Sequence, residues 1–300
     1  MNRNLKYKIT TKDDGKAISA FLKERGFSEH LLTAFRNDES YIISVNDEPV
    51  LLKRVLAAGD QLFVHIDEKA PSEMVVPVKL PFEVVYEDED IAVVNKPAGM
   101  PIHPSRQNWE QTLGNAAAYY YKDADGYFVY RCINRLDKGT SGLTVIAKNA
   151  LSGGILYEAI KSRGISRTYF AIVEEDGLPD EGTINMPIGR ADKSIITRCV
   201  DYENGKNAVT HFKVVERKDG LALVKLNLET GRTHQIRVHM SAIGHPLIGD
   251  YIYNESDARM DRPALHAGKI ILTHPITGEE LEFSVPLPED MQRFFTEYLV

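Results

Sequence analysis

Cysteine is nearly absent. The two in 300 residues, Cys132 and Cys199, are too few for a disulfide framework and lack the spacing of a metal-binding cluster. No apolar run approaches the roughly 20 residues that cross a bilayer, and the opening MNRNLKYKITTKDDG has no apolar core of the kind that directs secretion. A reducing cytoplasm and no membrane partner are therefore expected. Walker and Rossmann glycine loops are missing too, so no nucleotide or redox cofactor is expected. Nor is there a surplus of positive charge. A net charge of −7 and a pI near 5.8 disfavour indiscriminate polyanion binding but leave room for a local basic surface.

What is present, 43% hydrophobic and 26% charged residues, excludes a disordered or fibrous chain, and 300 residues fit one large domain or two ordinary ones. Residues 1–70 read as a small mixed unit. Ile18, Phe21 and Leu22, then Leu31, Leu32 and Phe35, recur at helical spacing. YIISV (41–45) reads as a strand, Asn46-Asp47 as a turn, and Gly59-Asp60 as the turn before a final strand. Pro71, Pro77 and Pro81 mark a linker over 71–81. Over 82–300 strands dominate. PFEVVYEDEDIAVVNK reads as a hairpin with an acidic turn, and RTYFAIVEEDG as a strand. A second hairpin turns at Lys218-Asp219-Gly220, with Ala222, Val224, Leu226 and Leu228 alternating toward one face. Ile236, Met240 and Ile243 then form the stripe of a helix starting near Thr233. The expected fold class is α+β: a mixed, largely antiparallel sheet with flanking helices, preceded by a small α/β unit.

The stretch RCINRLDKGTSGLTVIAK (131–148) carries the most chemical information. It places Asp137 in a loop ahead of the apolar strand LTVIA. By position alone, the plain reading of Asp137 is a turn cap. The segment NRLDKGTSGLTVIAK, however, resembles the catalytic motif of the RluA-type pseudouridine synthases. NKPAGMPIHPS (95–105), SRTYFAIV (166–173), ETGRTHQIRVHMSAIGHPLIGD (229–250) and LHAGKIILTHP (265–275) resemble further motifs of that family, in the expected order. Two departures stand out: Asn134 replaces the usual opening His, and YIYNES follows Asp250 where Tyr-Gly is frequent. The first 70 residues resemble, weakly, the RNA-binding module shared with ribosomal protein S-four.

The resemblance implies an RNA pseudouridine synthase, an isomerase that needs no cofactor and no metal. Asp137 would be the essential carboxylate and Arg237 its bidentate partner. The Tyr169 ring would stack on uracil and its hydroxyl would receive the proton lost from the new attachment carbon. Arg135 would brace the gap left by the flipped nucleotide. Asn134, His103, Ile236 and Leu265 would complete the substrate-binding set. The expected partner is RNA, in the first place large-subunit ribosomal RNA with transfer RNA as the alternative, and a monomer is expected. Seven basic residues against two acidic ones between 131 and 170 fit an RNA surface. A silent RNA-binding protein is the alternative left by Asn134. A metal hydrolase, suggested by His234, His239, His245, His266 and His274, lacks ligand spacing. A serine hydrolase is opposed because GTSG is not a nucleophile elbow.

Overall fold

The computed structural model describes residues 1–295 except 39, 69, 107, 125, 193 and 195. The first unit comprises β1 (Arg3–Lys8), α1 (Ile18–Lys23), α2 (Glu29–Asn37), β2 (Ile42–Val45), β3 (Glu48–Pro49) and β4 (Gln61–Ile66). Its strands form one antiparallel sheet in the order β1-β4-β2-β3. Asn46 and Asp47, at φ 52° and 68°, make the two-residue turn between β2 and β3, since two successive left-handed residues match the twist of a tight hairpin. Ser28 accepts the Leu31 N–H and so starts α2. The helices lay Phe21, Leu22, Leu31 and Leu32 on the sheet's Val45, Leu62, Val64 and Ile66.

The rest of the chain forms β5 (Glu83–Glu87), β6 (Ile91–Lys96), α3 (Leu113–Tyr120), β7 (Arg131–Cys132), β8 (Ser141–Ala147), α4 (Ala150–Lys161), β9 (Ile165–Glu174), β10 (Glu181–Asn185), β11 (Ile188–Arg190) and β12 (Arg198–Val200). These are followed by β13 (Val209–Lys218), β14 (Leu221–Leu228), α5 (Gln235–Ala242), β15 (Leu265–Thr273), β16 (Glu280–Ser284) and α6 (Glu289–Gln292). The main sheet runs β10-β13-β14-β9-β15-β8-β6-β5, with β16 beside β15 and β7 beside β8. All its pairings are antiparallel except β15 with β8. This is the expected α+β class.

Both faces of the sheet are covered, and the alternation of side chains shows how. Along β9, Tyr169, Ala171 and Val173 join a cluster with Ile236 and Met240 of α5. Phe170 and Ile172 point the other way, to Leu287, Met291 and Phe295. A strand buried on both faces reads as a continuous apolar run rather than an alternating one. Residues 71–81 hold no regular element but lie against α3, where Asn115 Nδ2 donates to the Val76 carbonyl and its own carbonyl accepts from the Val78 N–H. The two sheets are docked as well. Leu151, Ala150 and Ile155 of α4 pack into the first unit's core. Arg3–Asp90 and Arg131–Glu68, each 2.8 Å, pair across the junction.

Candidate active site

The two halves of the main sheet meet over a very short seam. β15 and β8 run parallel for only two residue pairs, His266 with Ser141 and Ala267 with Gly142. Beyond that, β15 takes β16 as its partner and β8 takes β7. Gly142 makes the seam possible. Its φ is +109°, and a Cβ there would lie 2.3 Å from the Ala267 carbonyl oxygen, so any side chain would force the halves apart. The cross-strand register runs from Gly142 to Ala267, to Tyr169 on β9 and to Leu226 on β14, placing Tyr169 level with the seam and one strand away from it.

Asp137 lies in the loop that enters β8, and the loop is pinned on both sides. The Lys138 carbonyl accepts from the Gly99 N–H at 2.8 Å, and the Gly139 carbonyl from Arg262 Nη1 at 3.1 Å. Arg262 is itself held by Asp290 through two bonds of 2.6 and 2.8 Å. The 97–100 turn is fixed by Lys96, whose Nζ donates to the Pro97 and Met100 carbonyls, each at 2.8 Å. Lys96 is fully buried, and burial pushes it down to about 7.

A cleft of about 50 Å³ opens beside Asp137, lined by Arg135, Tyr169, Ile236, Arg237, Leu265 and His234, among others. Six of the expected site residues, Asp137, Tyr169, Arg237, Arg135, Ile236 and Leu265, therefore surround one cavity. Tyr169 is buried, which raises its hydroxyl pKa against the opposing influence of Arg167. Arg135 is solvent-exposed at the rim.

Two expected residues lie elsewhere. The Asn134 side chain is turned into the sheet and does not line the cleft. Its Oδ1 accepts the Val145 N–H at 2.9 Å and its Nδ2 donates to the Leu143 carbonyl at 3.2 Å. It thus bonds to two backbone groups of β8. His103 stands edge-on to Tyr130, with ring centroids 5.3 Å apart, also outside the cleft lining. Burial, and then Arg135, push its imidazole below the usual range.

The expected bidentate partner of Asp137 needs correction. Arg237 does point inward and is only 2% exposed, but its fork closes on Asp250, with Nε–Oδ2 and Nη2–Oδ1 both 2.7 Å. Asp250 is wholly buried and also accepts the Ile252 and Tyr253 N–H groups. Arg237 Nη1 approaches Asp137 Oδ2 at 3.7 Å, and His234 Nε2 approaches the same oxygen at 3.9 Å. Among the described residues, neither oxygen of the Asp137 carboxylate has a recorded hydrogen bond. The carboxylate stands beside two donors without being committed to either.

The helical period sorts the residues of α5 and its cap. His234 and Arg237 face Asp137, while Gln235 and His239 face β13. Gln235 donates to the Val209 carbonyl and accepts from Thr230 and the Arg232 N–H. His239 is bonded to Thr210 and to the Met186 carbonyl. These polar anchors fix the helix where hydrophobic contact alone would let it slide. Sequence reasoning considered His234 only as a metal ligand of the rejected hydrolase reading and gave no role to Asp250, Tyr253, Arg262 or Lys96. The available signal was that His234 and Asp250 both fall inside the 229–250 motif.

The basic surplus between 131 and 170 is smaller in space than in sequence. Arg131, Lys148, Lys161 and Arg163 are paired with Glu68, Glu87, Glu158 and Glu229. Arg135 and Lys138 remain as exposed cations beside Asp137. Among the described residues, one group could offer three ligand atoms to a cation: Asp88, Asp90 and His274. Its atoms are already engaged. Asp88 accepts from His274 Nε2 and Tyr86, Asp90 from Arg3, Asn149 and Ser152, and His274 Nδ1 from two backbone N–H groups. It ties β6 to the first unit at the end of β6 remote from Asp137. No helix of the described residues is long and apolar enough to cross a membrane.

Residues 90–242 match the family model of RNA pseudouridylate synthases. An uncharacterized RNA pseudouridine synthase of Bacillus subtilis, YhcT, is 39% identical over 299 residues, covering 99% of this chain and 98% of that one. Ribosomal large subunit pseudouridine synthase D of Escherichia coli is 38% identical over 263 residues, covering 82% of this chain and 78% of that one. Among solved structures, human RNA pseudouridylate synthase domain containing 1 superposes with a TM-score of 0.58 at 30% identity, covering 69% of this chain and 83% of that one. The chain belongs to the RNA pseudouridine synthase family, of the RluA type, and is an isomerase.

Proposed function

We propose that this protein isomerises a uridine of large-subunit ribosomal RNA to pseudouridine, with Asp137 as the acting carboxylate and no cofactor. The observation that carries the role of Asp137 is its free carboxylate at the cleft. Arg237 and His234 both approach Oδ2, at 3.7 and 3.9 Å, which leaves Oδ1 open to a ribose. The N1–C1′ bond breaks, the uracil turns, C5 bonds to C1′, the C5 proton is lost and the freed N1 takes up a proton, so the net change is an isomerisation. The same placement of Asp137 serves attack on C1′ and removal of a ribose proton.

The uridine reaches this depth only if it leaves its stack, which costs a few kcal/mol. Tyr169, Ile236 and Leu265 offer the base an apolar slot, and Arg135 at the rim is placed to fill the gap in the RNA. Burial argues against the Tyr169 hydroxyl as a base, because a phenol whose pKa is raised stays protonated at neutral pH. Its ring is the part this reading uses. The cations Arg135 and Lys138 would meet phosphates, so RNA binding should weaken as salt rises. The choice of ribosomal RNA is supported by the relatives that bear that name.

The test is tritium release from RNA labelled at C5 of uracil, prepared from cells lacking this protein. Release by the wild type and none by Asp137→Ala is expected. Equal release by both would overturn the role of Asp137. Mapping that shows the lost sites only in transfer RNA would overturn the choice of ribosomal RNA.

A further inference from the structure

The backbone at His234 is unusual. Its φ of 57° and ψ of 19° put a β-carbon-bearing residue in the left-handed region, at the cap of α5 and without a side-chain cap bond. This conformation costs about 1 kcal/mol or more and persists where the surroundings enforce it, often at functional sites. Here it turns the imidazole off the helix axis and into the cleft, with the side chain 9% exposed.

The ring is then held from behind. Nδ1 lies 2.9 Å from the Tyr253 hydroxyl, and that hydroxyl accepts the Arg198 N–H, also at 2.9 Å. A phenol has one proton. With the Arg198 N–H on a lone pair and no other acceptor recorded for Tyr253 among the described residues, the proton goes to Nδ1. The imidazole proton must then sit on Nε2, the nitrogen that faces Asp137 Oδ2 at 3.9 Å.

We propose that Tyr253 and His234 form a positioning pair for Asp137. Tyr253 fixes the Nε2–H tautomer of His234, so that this N–H and Arg237 both face Oδ2 and close on it as substrate enters, presenting Oδ1 to the ribose. This rests on the reading of Asp137 as the acting carboxylate. A neutral donor suits the task. It orients the carboxylate without adding a second full positive charge to that of Arg237. Burial pushes the imidazole below its usual range, and of the charges that face it, Asp137 and Asp250 oppose that shift while Arg237 and Arg198 reinforce it. Tyr253 is placed by the same acid that holds Arg237, because Asp250 Oδ1 accepts the Tyr253 N–H at 3.2 Å. One buried carboxylate therefore sets both donors that converge on Asp137.

Two measurements test the pair. Nitrogen-15 NMR of histidine-labelled wild type should show His234 neutral at pH 7 with its proton on Nε2, and Tyr253→Phe should show mixed tautomers. With the C5-tritiated RNA described above, Tyr253→Phe should lower the single-turnover rate roughly 10- to 100-fold, as loss of an orienting contact does. RNA affinity should change less than about twofold. An Nδ1–H tautomer or an imidazolium in the wild type would overturn the pair, and so would a Tyr253→Phe rate equal to wild type. Absence of tritium release by the wild type would count against the proposed reaction instead, and the tautomer measurement would still decide the pair.

Discussion

Replacing Asp250 by Asn isolates the charge that holds Arg237. The amide keeps the shape and can still accept the Ile252 and Tyr253 N–H groups. It loses the negative charge opposite a guanidinium that is only 2% exposed. Removing one partner of a buried pair costs about 3–5 kcal/mol, since the other charge is left without compensation. At an unfolding entropy of about 2.1 cal/mol/K per residue, the 300-residue chain should lose about 5–8 °C of Tm if it melts as one unit. Circular dichroism melting of wild type and Asp250→Asn measures this. The double variant Arg237→Met with Asp250→Asn adds a control, because it removes the unpaired buried charge while the amide still accepts the Ile252 and Tyr253 N–H groups. It should recover most of the lost Tm and remain inactive in tritium release. A Tm for Asp250→Asn within about 1 °C of wild type would refute the reasoning. So would a double variant as unstable as the single one.

Gly142→Ala should abolish activity and lower Tm by more than Asp250→Asn, because its Cβ would meet backbone atoms of Ala267 at 2.3–2.7 Å; a melting curve like that of wild type would show the seam to be pliant. Lys96 gives a pH signature. The folded chain releases its proton near 7 and the unfolded chain near 10.5, so between those values the unfolded state binds more protons and stability rises with pH. The stability difference between wild type and Lys96→Met should grow by about 1 kcal/mol per pH unit over that window, measured by urea unfolding, and a flat difference would refute it. Deleting residues 1–70 should destabilise the remainder, because it uncovers Leu151 and Ile155 and removes the Arg3 partner of buried Asp90; unchanged urea unfolding of the truncated chain would contradict that.

The elements easiest to read in the sequence are those whose burial is extreme. Ile91–Val94 and Phe170–Val173 are buried on both faces and stand out as apolar runs. RNLKYK gave no signal for β1, because only Leu5 of that strand is fully buried and its remaining side chains are polar or half-exposed. The α4 sequence ALSGGILYEAIK hides its helix for a different reason. Leu151 and Ile155 serve the first unit's core while Leu156 serves the sheet, so no single stripe forms, and two glycines interrupt the pattern. The site was legible as a set of motifs and illegible as a set of contacts. Resemblance named Asp137, Tyr169 and Arg237, yet the carboxylate that grips Arg237 is Asp250, thirteen positions along and brought back by a turn. The sequence count of basic residues likewise overstated the surface, because an ion pair between Lys148 and Glu87 links positions 61 apart.

The seam gives these details one physical origin. Asp137 enters from the half of the sheet that contains β8. Tyr169, Leu265, Arg237 and His234 come from the half that contains β15, so the active groups are assembled across a joint only two residue pairs wide. Hydrogen bonding alone would make such a joint weak. It is reinforced by Arg262, which reaches from Asp290 to the Gly139 carbonyl, and by the Ser141–His266 bond of 2.9 Å. The 3.7 Å between Arg237 and Asp137 is therefore a measure of how the halves meet. That is why a methyl group at Gly142, which touches no substrate, is expected to cost as much activity as a change at the cleft itself.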